Sequence, residues 1–426
     1  MMRKVAFWQR LLNLLVLAIL PFSILSPRSI VPLFFILFLS MSGYWVAQQK
    51  RINFKNIFNS IRSNQSFIVL GCFLLWSLLS VFWSIDPKQT LCLWIKLLFL
   101  LSGGIGIFLM AQKLEKISKT HLLLSLMLGF IITNILLMIE IKTEGKWLYL
   151  IKGKDYNLTY YNKVLSFEVM LIWPILAYLN RFLKSYPDDQ EVKYLARIFQ
   201  LVLIFQTAFV MFYLESTSVK IAFVIGVFIG LSSFFKEKVV KWFLLSVCAV
   251  VFIFAPLFYK HVLISRTITS ITHKVIEKPS FYHRLYIWNF VSDKILLKPW
   301  TGWGLDASRH KYFSEKKIDR KDIKKQIPFV NIATLELLPL HPHNLPLQLW
   351  VELGFPGALL IICLVSLIIS AIPRVFNEKI NRSAAYAAFS SSLVINMGSY
   401  GMWQSWWIVG LWSTMVFIRF LENQDD

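Results

Sequence analysis

The chain has 426 residues, of which 57% are hydrophobic, 16% aromatic and only 16% charged. Soluble globular proteins carry about 25% charged residues, so this composition argues against a soluble protein, and a chain this apolar is not intrinsically disordered. The net charge is +22, from 45 Lys and Arg against 23 Asp and Glu. Nucleic-acid binding is not expected, because it requires a soluble basic face.

About twelve apolar segments are predicted to cross the membrane as helices, because each approaches the 20 residues that span a bilayer. They do not alternate apolar and polar residues, as the strands of a transmembrane β-barrel do. The sequence therefore predicts an all-α polytopic membrane protein. The predicted spans are 8–25, 30–48, 67–83, 90–111, 121–141, 163–180, 197–214, 218–235, 241–259, 346–372, 384–400 and 403–420.

Basic residues are concentrated in every second connection between these spans, which predicts that both termini are cytoplasmic. The basic connections lie within 50–62, 113–119, 181–197, 236–241 and 374–382. Two outward connections, 142–162 and 260–345, are also basic. Long segments cross the membrane regardless of their charge, so the second exception does not reverse the orientation.

The connection over 260–345 is the one long hydrophilic segment, with fifteen Lys and Arg, seven Asp and Glu, and six of the seven histidines. It divides the chain into spans one to nine (1–259), an external loop that is partly helical (260–345) and spans ten to twelve (346–426). Either the loop is a solvated basic surface or it binds a phosphate-rich ligand. One group of basic residues is spaced like a solvated helical face: Lys316, Lys317, Arg320, Lys321, Lys324 and Lys325.

A histidine motif lies where this loop returns to the membrane. His343-Asn344 is followed by nine residues, Gly354, two residues and Gly357. A histidine at the membrane surface is suited to act as a general base, because its unperturbed pKa is about 6.5. The two glycines are expected to admit a neighbouring helix, and Phe355-Pro356 predicts a kink. The alternative is a histidine that caps a helix beside ordinary packing glycines.

This spacing resembles the His-[Asn/Ser/Gln]-x9-Gly-x2-[Gly/Thr/Tyr] signature of the O-antigen ligases, which join O-antigen to lipid A–core. Arg284-x3-Trp288 with Pro299-x2-Gly302-x-Gly304, Trp-Ser-Ile-Asp-Pro at 83–87 and Trp-Gln-Ser-Trp-Trp at 403–407 are also similar to that family. The resemblance implies a GT-C-like fold of twelve spans, with a large periplasmic loop between helices 9 and 10. It also implies a multi-pass protein of the bacterial inner membrane, with its active site facing the periplasm.

The resemblance implies which cations bind the donor. Family arginines hold the diphosphate of an undecaprenyl-diphosphate-linked sugar, so Arg284 is a candidate catalytic clamp, since a guanidinium matches phosphate in a bidentate way. The alternative is an arginine solvated in the loop. A second family arginine follows a serine at the eighth span, where this chain has Ser218 and then Lys220. Lys220 either binds phosphate as a point charge or extends to the membrane surface.

Four further side chains are predicted to bind substrate. Lys163 follows Asn162 where relatives often have arginine, and Asn344 follows the candidate base. His341 is the second histidine of the motif, but only His343 has the following asparagine. Trp288 either stacks on a sugar ring or belongs to the interfacial aromatic belt.

The outward segments contain no pair of acidic residues of the kind that metal-dependent membrane glycosyltransferases usually have. A His-x-His metal pair at 341–343 would lack carboxylate ligands. We therefore predict chemistry without a metal or another cofactor.

The favoured hypothesis is an inverting glycosyltransferase that moves O-antigen glycan from undecaprenyl diphosphate to lipid A–core. Its partners would be this donor, this acceptor and membrane lipids. An O-antigen polymerase or a protein O-oligosaccharyltransferase of the same superfamily is the alternative. A transporter of lipid-linked glycan is a third hypothesis, disfavoured because the polar candidates cluster at the outer edge and the chain shows no internal repeat.

Overall fold

The computed structural model describes residues 2–48, 61–153, 158–184, 188–214, 216–261, 279–315, 317–319, 334–336, 338 and 340–422. Within these residues, nine helices are long and apolar enough to cross a membrane. The described strands are two three-residue segments, β1 (Lys317–Asp319) and β2 (Thr334–Glu336), which pair with each other. The predicted fold class, an all-α polytopic membrane protein, is confirmed.

Each of the twelve predicted spans overlaps a helix. The helices of the described residues are α1 (Met2–Leu25), α2 (Ile30–Ala47), α3 (Gln65–Leu79), α4 (Pro87–Gln112), α5 (Lys116–Lys142), α6 (Lys146–Lys152), α7 (Asn162–Lys184), α8 (Gln190–Tyr213), α9 (Thr217–His261), α10 (Pro279–Leu297), α11 (Lys311–Ser314), α12 (Leu345–Val375), α13 (Lys379–Gly398) and α14 (Ser405–Arg419). Helix α13 is less apolar than the nine membrane-spanning candidates, and helix α14 is shorter than they are.

Helix α9 covers two predicted spans. It has 45 residues, which at 1.5 Å per residue is about 68 Å, roughly twice the thickness of the hydrocarbon core. Lys236 inside it has non-helical angles, φ −133° and ψ 55°, so two helices meet there. This break lies in the basic connection that the sequence predicts between spans eight and nine.

Helices α7 and α13 lie at the centre of the bundle. In the apolar stretch of Leu158–Lys184, which contains α7, 83% of the residues are buried. Helix α13 packs against both α7 and α9. Small buried residues of α13, among them Ala384, Ala387 and Ser391, allow its neighbours to approach closely. Because α7 begins and α13 ends at the same end of the bundle, the connections at that end are brought together.

The long connection folds onto this end through α10. Ile287, Val291 and Ile295 of α10 are buried with Phe313 and Leu347 in a second, smaller apolar cluster. The connection thus contains the helices α10 and α11. It also covers the start of α12, the helix that follows the candidate base.

The predicted basic helical face is wrong at Lys317. This residue lies in β1, in register with Glu336 of β2. The other five members, Lys316, Arg320, Lys321, Lys324 and Lys325, lie outside the described residues. So do Lys50, Arg51 and Lys55 of the first basic connection.

The predicted kink in α12 is present, at Gly354, whose φ is +66° and ψ −167°. The break leaves helix carbonyls without their usual partners. The N–H of Trp303 donates to the Val351 carbonyl, and the N–H of Gly304 donates to the Glu352 carbonyl, each at 2.9 Å. The segment that approaches Gly354 is therefore the loop over 299–304, and not a helix as the sequence predicted.

We predict that Gly354→Ala destabilises the protein. A Cβ there would collide with the Trp300 carbonyl oxygen, in a backbone conformation that costs residues other than glycine roughly 1–3 kcal/mol by itself. The melting temperature of the purified protein in detergent should fall by several degrees. Gly71→Ala is the matched control, because Gly71 lies in α3 with nothing within 4 Å of the added carbon. An unchanged melting temperature for Gly354→Ala would contradict this description of the break.

Candidate active site

His343 lies in a tight turn immediately before α12. Its φ is +54°, a conformation that is uncommon for residues other than glycine and that clusters at active sites and ligand clamps. Its backbone N–H donates to Nδ1 of His341 at 3.2 Å, and the two rings lie 4.1 Å apart. The turn therefore fixes the direction in which the His343 ring points.

A backbone carbonyl fixes the proton on this ring. Nδ1 of His343 lies 2.6 Å from the carbonyl oxygen of Ser399. A carbonyl accepts hydrogen bonds and never donates them, so Nδ1 must carry the proton. In the neutral ring, Nε2 then has a free lone pair, which is the form that a general base requires.

The surroundings keep His343 neutral. Burial lowers its pKa from the usual value, and the positive charge of Arg284 lowers it further, while the hydrogen bond to Ser399 acts in the opposite direction. His341 is more strongly affected: burial, with the nearby His343 and arginines, lowers its pKa to about 3. His341 is thus a neutral ring whose Nδ1 is occupied by the turn. Its predicted contact with substrate would have to use Nε2.

Trp288 joins α10 to the histidine turn. Its indole N–H donates to the carbonyl of Pro342 at 2.8 Å, and its ring packs 4.8 Å from that of Tyr259. Arg284 lies one turn earlier on the same face of α10. The contact that holds Trp288 therefore also brings Arg284 to the side of His343.

Arg284 is a partly buried cation whose guanidinium has a pKa lowered by burial. Among the described residues, no carboxylate forms an ion pair with it. Its charge acts on both His341 and His343. A desolvated guanidinium without a counter-ion is suited to bind an anionic group such as a phosphate.

Asn344 starts α12. Its Oδ1 accepts the backbone N–H of Leu347 at 3.1 Å, the arrangement of a helix N-cap, and its Nδ2 donates to the hydroxyl of Tyr259 at 2.8 Å. The side chain is 1% exposed. The asparagine that the sequence predicts to bind substrate thus has both of its polar atoms engaged within the protein.

Ser218 and Lys220 begin the same helix but face different neighbours. A methyl group built on Gly398, next to Ser399, would lie 3.6 Å from Oγ of Ser218, which places this serine beside the histidine turn. The ammonium of Lys220 donates to the carbonyl of Phe212 at 2.8 Å and lies 5.1 Å from the Phe212 ring. No hydrogen bond or ion pair of the described residues joins Lys220 to His343 or Arg284.

Lys163 lies at the start of α7, at the same end of the bundle. Its ammonium is 5.9 Å from the centre of the Trp406 ring, which packs 4.7 Å from the ring of Tyr400. The hydroxyl of Tyr400 is 3.3 Å from Oγ of Ser166, one turn along α7. Trp406 of the aromatic motif thus contacts both Lys163 and Tyr400, the residue after Ser399.

Two residues beside the candidate base are missed by the sequence prediction. Ser399 contributes a backbone carbonyl, and no side-chain pattern reveals which carbonyl a histidine will meet. Tyr400 lies in the same connection, just before the aromatic motif, and its position next to that motif is the signal that points to it.

Comparison with known proteins agrees with the resemblance. The O-antigen ligase family matches residues 201–362. A protein of Rickettsia typhi named as a polysaccharide ligase is 34% identical over 221 residues, which cover 51% of each chain. One of Rickettsia felis with the same name is 27% identical over 369 residues, 83% of this chain and 80% of the relative.

A third such protein, from Rickettsia conorii, is 34% identical over 186 residues, 40% of this chain and 43% of its own. The chain therefore aligns with about half the length of the more similar of these relatives. The family match includes the histidine turn, Arg284, Trp288 and the break at Gly354. Residues 201–362, which contain every predicted site residue except Lys163, are thus the part of the chain that matches the O-antigen ligase family.

Proposed function

We propose that the protein is an inverting glycosyltransferase that needs no metal and transfers O-antigen glycan from undecaprenyl diphosphate to lipid A–core. The observation that carries the proposal is an oriented base beside a cation that forms no ion pair with any carboxylate of the described residues. The Ser399 carbonyl leaves Nε2 of His343 free to take a proton, and Arg284 beside it has no described counter-ion. The family match supports glycan transfer as the reaction.

In this reaction, Nε2 of His343 removes the proton from a hydroxyl of the acceptor sugar. The hydroxyl oxygen attacks the anomeric carbon from the face opposite the diphosphate, and a new glycosidic bond forms with inversion. The bond from the anomeric carbon to the diphosphate oxygen breaks, and undecaprenyl diphosphate leaves with the bonding electrons. Arg284 stabilises the charge that develops on this leaving group.

We assign diphosphate binding to Arg284 rather than to Lys220, because Lys220 would have to leave the Phe212 carbonyl to reach a phosphate. Lys163 and Ser218, at the same end of the bundle, are assigned to the sugar–phosphate part of the donor. Asn344 and Trp288 act by holding the turn and α10 in place.

The proposed orientation puts the site in the periplasm and both termini in the cytoplasm of the bacterial inner membrane. It is supported by the basic residues at the opposite ends of the site helices: Lys184 ends α7, Lys379 begins α13 and Arg419 ends α14. Such residues favour the cytoplasmic side. Residues 260–345 are then the periplasmic part between the membrane regions 1–259 and 346–426.

The experiment that tests the proposal supplies the purified protein in liposomes with undecaprenyl-diphosphate-linked glycan, with and without lipid A–core. We expect glycan on lipid A–core. Lengthening of the donor's own glycan, with none on lipid A–core, would identify a polymerase and contradict the proposed acceptor. Passage of the donor across the membrane without transfer would indicate a transporter.

The pH dependence of transfer tests the base. His343 must be neutral to accept a proton, and its pKa is lowered from 6.5 by burial and by Arg284. We therefore predict that the rate stays constant as the pH falls through 6.5 and declines only at lower pH. An initial-rate profile of the purified protein measures this, and a decline centred above pH 6.5 would contradict the assignment.

A further inference from the structure

A buried carboxylate, Glu352, lies two residues before the break in α12. Glu352 is 0% exposed, yet all four of its described partners are donors. Oε1 accepts the hydroxyl of Ser308 at 2.7 Å and the amide N–H of Gln348 at 3.1 Å. Oε2 accepts the backbone N–H of Asp306 at 2.8 Å and the indole N–H of Trp403. Four donors match the ionised carboxylate, which only accepts.

One contact of Glu352 and one contact of its neighbour Gln348 reach the connection between α13 and α14. Trp403 belongs to it, and the backbone N–H of the preceding Met402 donates to Oε1 of Gln348 at 3.0 Å. Gln348 and Glu352 are four residues apart, on one face of α12. Together they hold the connection over 399–404 against the start of α12.

The same connection carries the groups that contact the histidine turn. The Ser399 carbonyl accepts the Nδ1 proton of His343. Gly401 lies so close to His341 that an added Cβ would be 2.9 Å from Cδ2 of its ring. The distance from Met402 and Trp403 back to Ser399 is only three and four residues. The position of the carbonyl therefore depends on the anchor that Glu352 and Gln348 provide.

We propose that Glu352 is a positioning residue for the candidate base: through Trp403, and with Gln348, it fixes the Ser399 carbonyl that selects the His343 tautomer with a free Nε2. The inference rests on the proposed function, in which His343 is the base. If the anchor is removed, the carbonyl shifts and a share of His343 carries its proton on Nε2. That share cannot accept a proton from the acceptor hydroxyl.

Two variants remove parts of the anchor. Glu352→Gln places an amide nitrogen, itself a donor, against one pair of the four donors. Trp403→Phe removes the indole N–H and keeps an aromatic ring. It therefore still tests the anchor if Glu352→Gln fails to fold. Glu168→Gln is the matched control: Glu168 is also a 0% exposed carboxylate of a membrane helix, but its described contact is with Asn134 of α5, at 3.3 Å.

The first measurement needs no substrate. Protein labelled with 15N-histidine reports the tautomer of each ring, and the His343 signals are those missing from His343→Ala. We expect the neutral Nδ1–H form in the wild type and in Glu168→Gln, and a mixture of tautomers in Trp403→Phe and Glu352→Gln. An unchanged His343 spectrum in both anchor variants would overturn the proposal.

The second measurement is the pH profile of transfer. The Ser399 hydrogen bond raises the pKa of His343, so its loss should move the acidic limb to lower pH, while the plateau rate falls roughly tenfold. If the substitutions only impair folding, the amount of active protein falls but the acidic limb does not move, and that result would count against the proposal. Activity in His343→Ala would refute the proposed function. If transfer still requires His343 but the acidic limb of the pH profile does not move in either anchor variant, only the role of Glu352 is refuted.

Discussion

His343→Ala is expected to abolish glycan transfer while the protein remains expressed and folded. A positioned general base contributes roughly 10²–10⁴-fold to the rate, and His341 is not able to replace it, because Nδ1 of His341 is occupied and burial keeps the pKa of His341 near 3. Alanine leaves the turn without its contact to Ser399 but adds no buried polar group. The measurements are surface glycolipid in cells that lack the native protein and the initial rate of the purified variant.

His121→Ala is the control, because His121 is an exposed histidine on α5, away from the turn. It should transfer at the wild-type rate. His343→Gln adds a second check, since glutamine can donate to the Ser399 carbonyl but cannot act as the base, and we expect it to be as inactive as alanine. Near-normal glycolipid in the His343 variants would remove the base assignment.

Arg284→Ala has the second largest expected effect, a loss of roughly 10²–10³-fold in rate. The arginine is partly buried without a described counter-ion, so its removal takes away the charge that would stabilise the departing diphosphate. Arg284→Lys should recover only part of the rate, because an ammonium cannot form the paired hydrogen bonds of a guanidinium. Initial rates of the purified variants with saturating acceptor measure both effects.

Arg284→Ala should also change the pH profile of transfer. The positive charge of Arg284 lowers the pKa of His343, so its removal should raise that pKa and move the acidic limb to higher pH. This direction is opposite to that expected for Glu352→Gln. Arg28→Ala is the control, since Arg28 is an exposed arginine between α1 and α2. A wild-type rate with an unmoved limb in Arg284→Ala would show that this side chain does not act near the base.

The membrane helices could be predicted from the sequence because lipid demands long apolar segments, a signal that needs no tertiary information. The break in α12 could also be predicted, from Gly354 and Phe355-Pro356. What fills the break could not, since the loop over 299–304 is held by backbone N–H groups that every residue has. The strand at Lys317 could not be predicted either. Its spacing favours a helix, but the backbone pairs with β2, which lies elsewhere in the loop.

For the site, the residue types were visible but their roles were not. His343 and Arg284 follow from the motif and its resemblance, and in the structure α10 brings Arg284 to the side of the turn that carries His343. Asn344, by contrast, caps a helix, and Lys220 binds a carbonyl of the preceding helix. The choice between substrate contact and structural contact depends on neighbours distant in the chain, such as Tyr259 and the connection that contains Ser399.

The most direct measurement is the structure of the protein with undecaprenyl diphosphate bound in a lipid bilayer. We predict that the diphosphate lies within hydrogen-bond distance of the Arg284 guanidinium, and that its free end, where the sugar was attached, faces Nε2 of His343. Diphosphate held at the opposite end of the helices, or beyond hydrogen-bond reach of Arg284 with the His343 ring turned away from it, would contradict the proposed site.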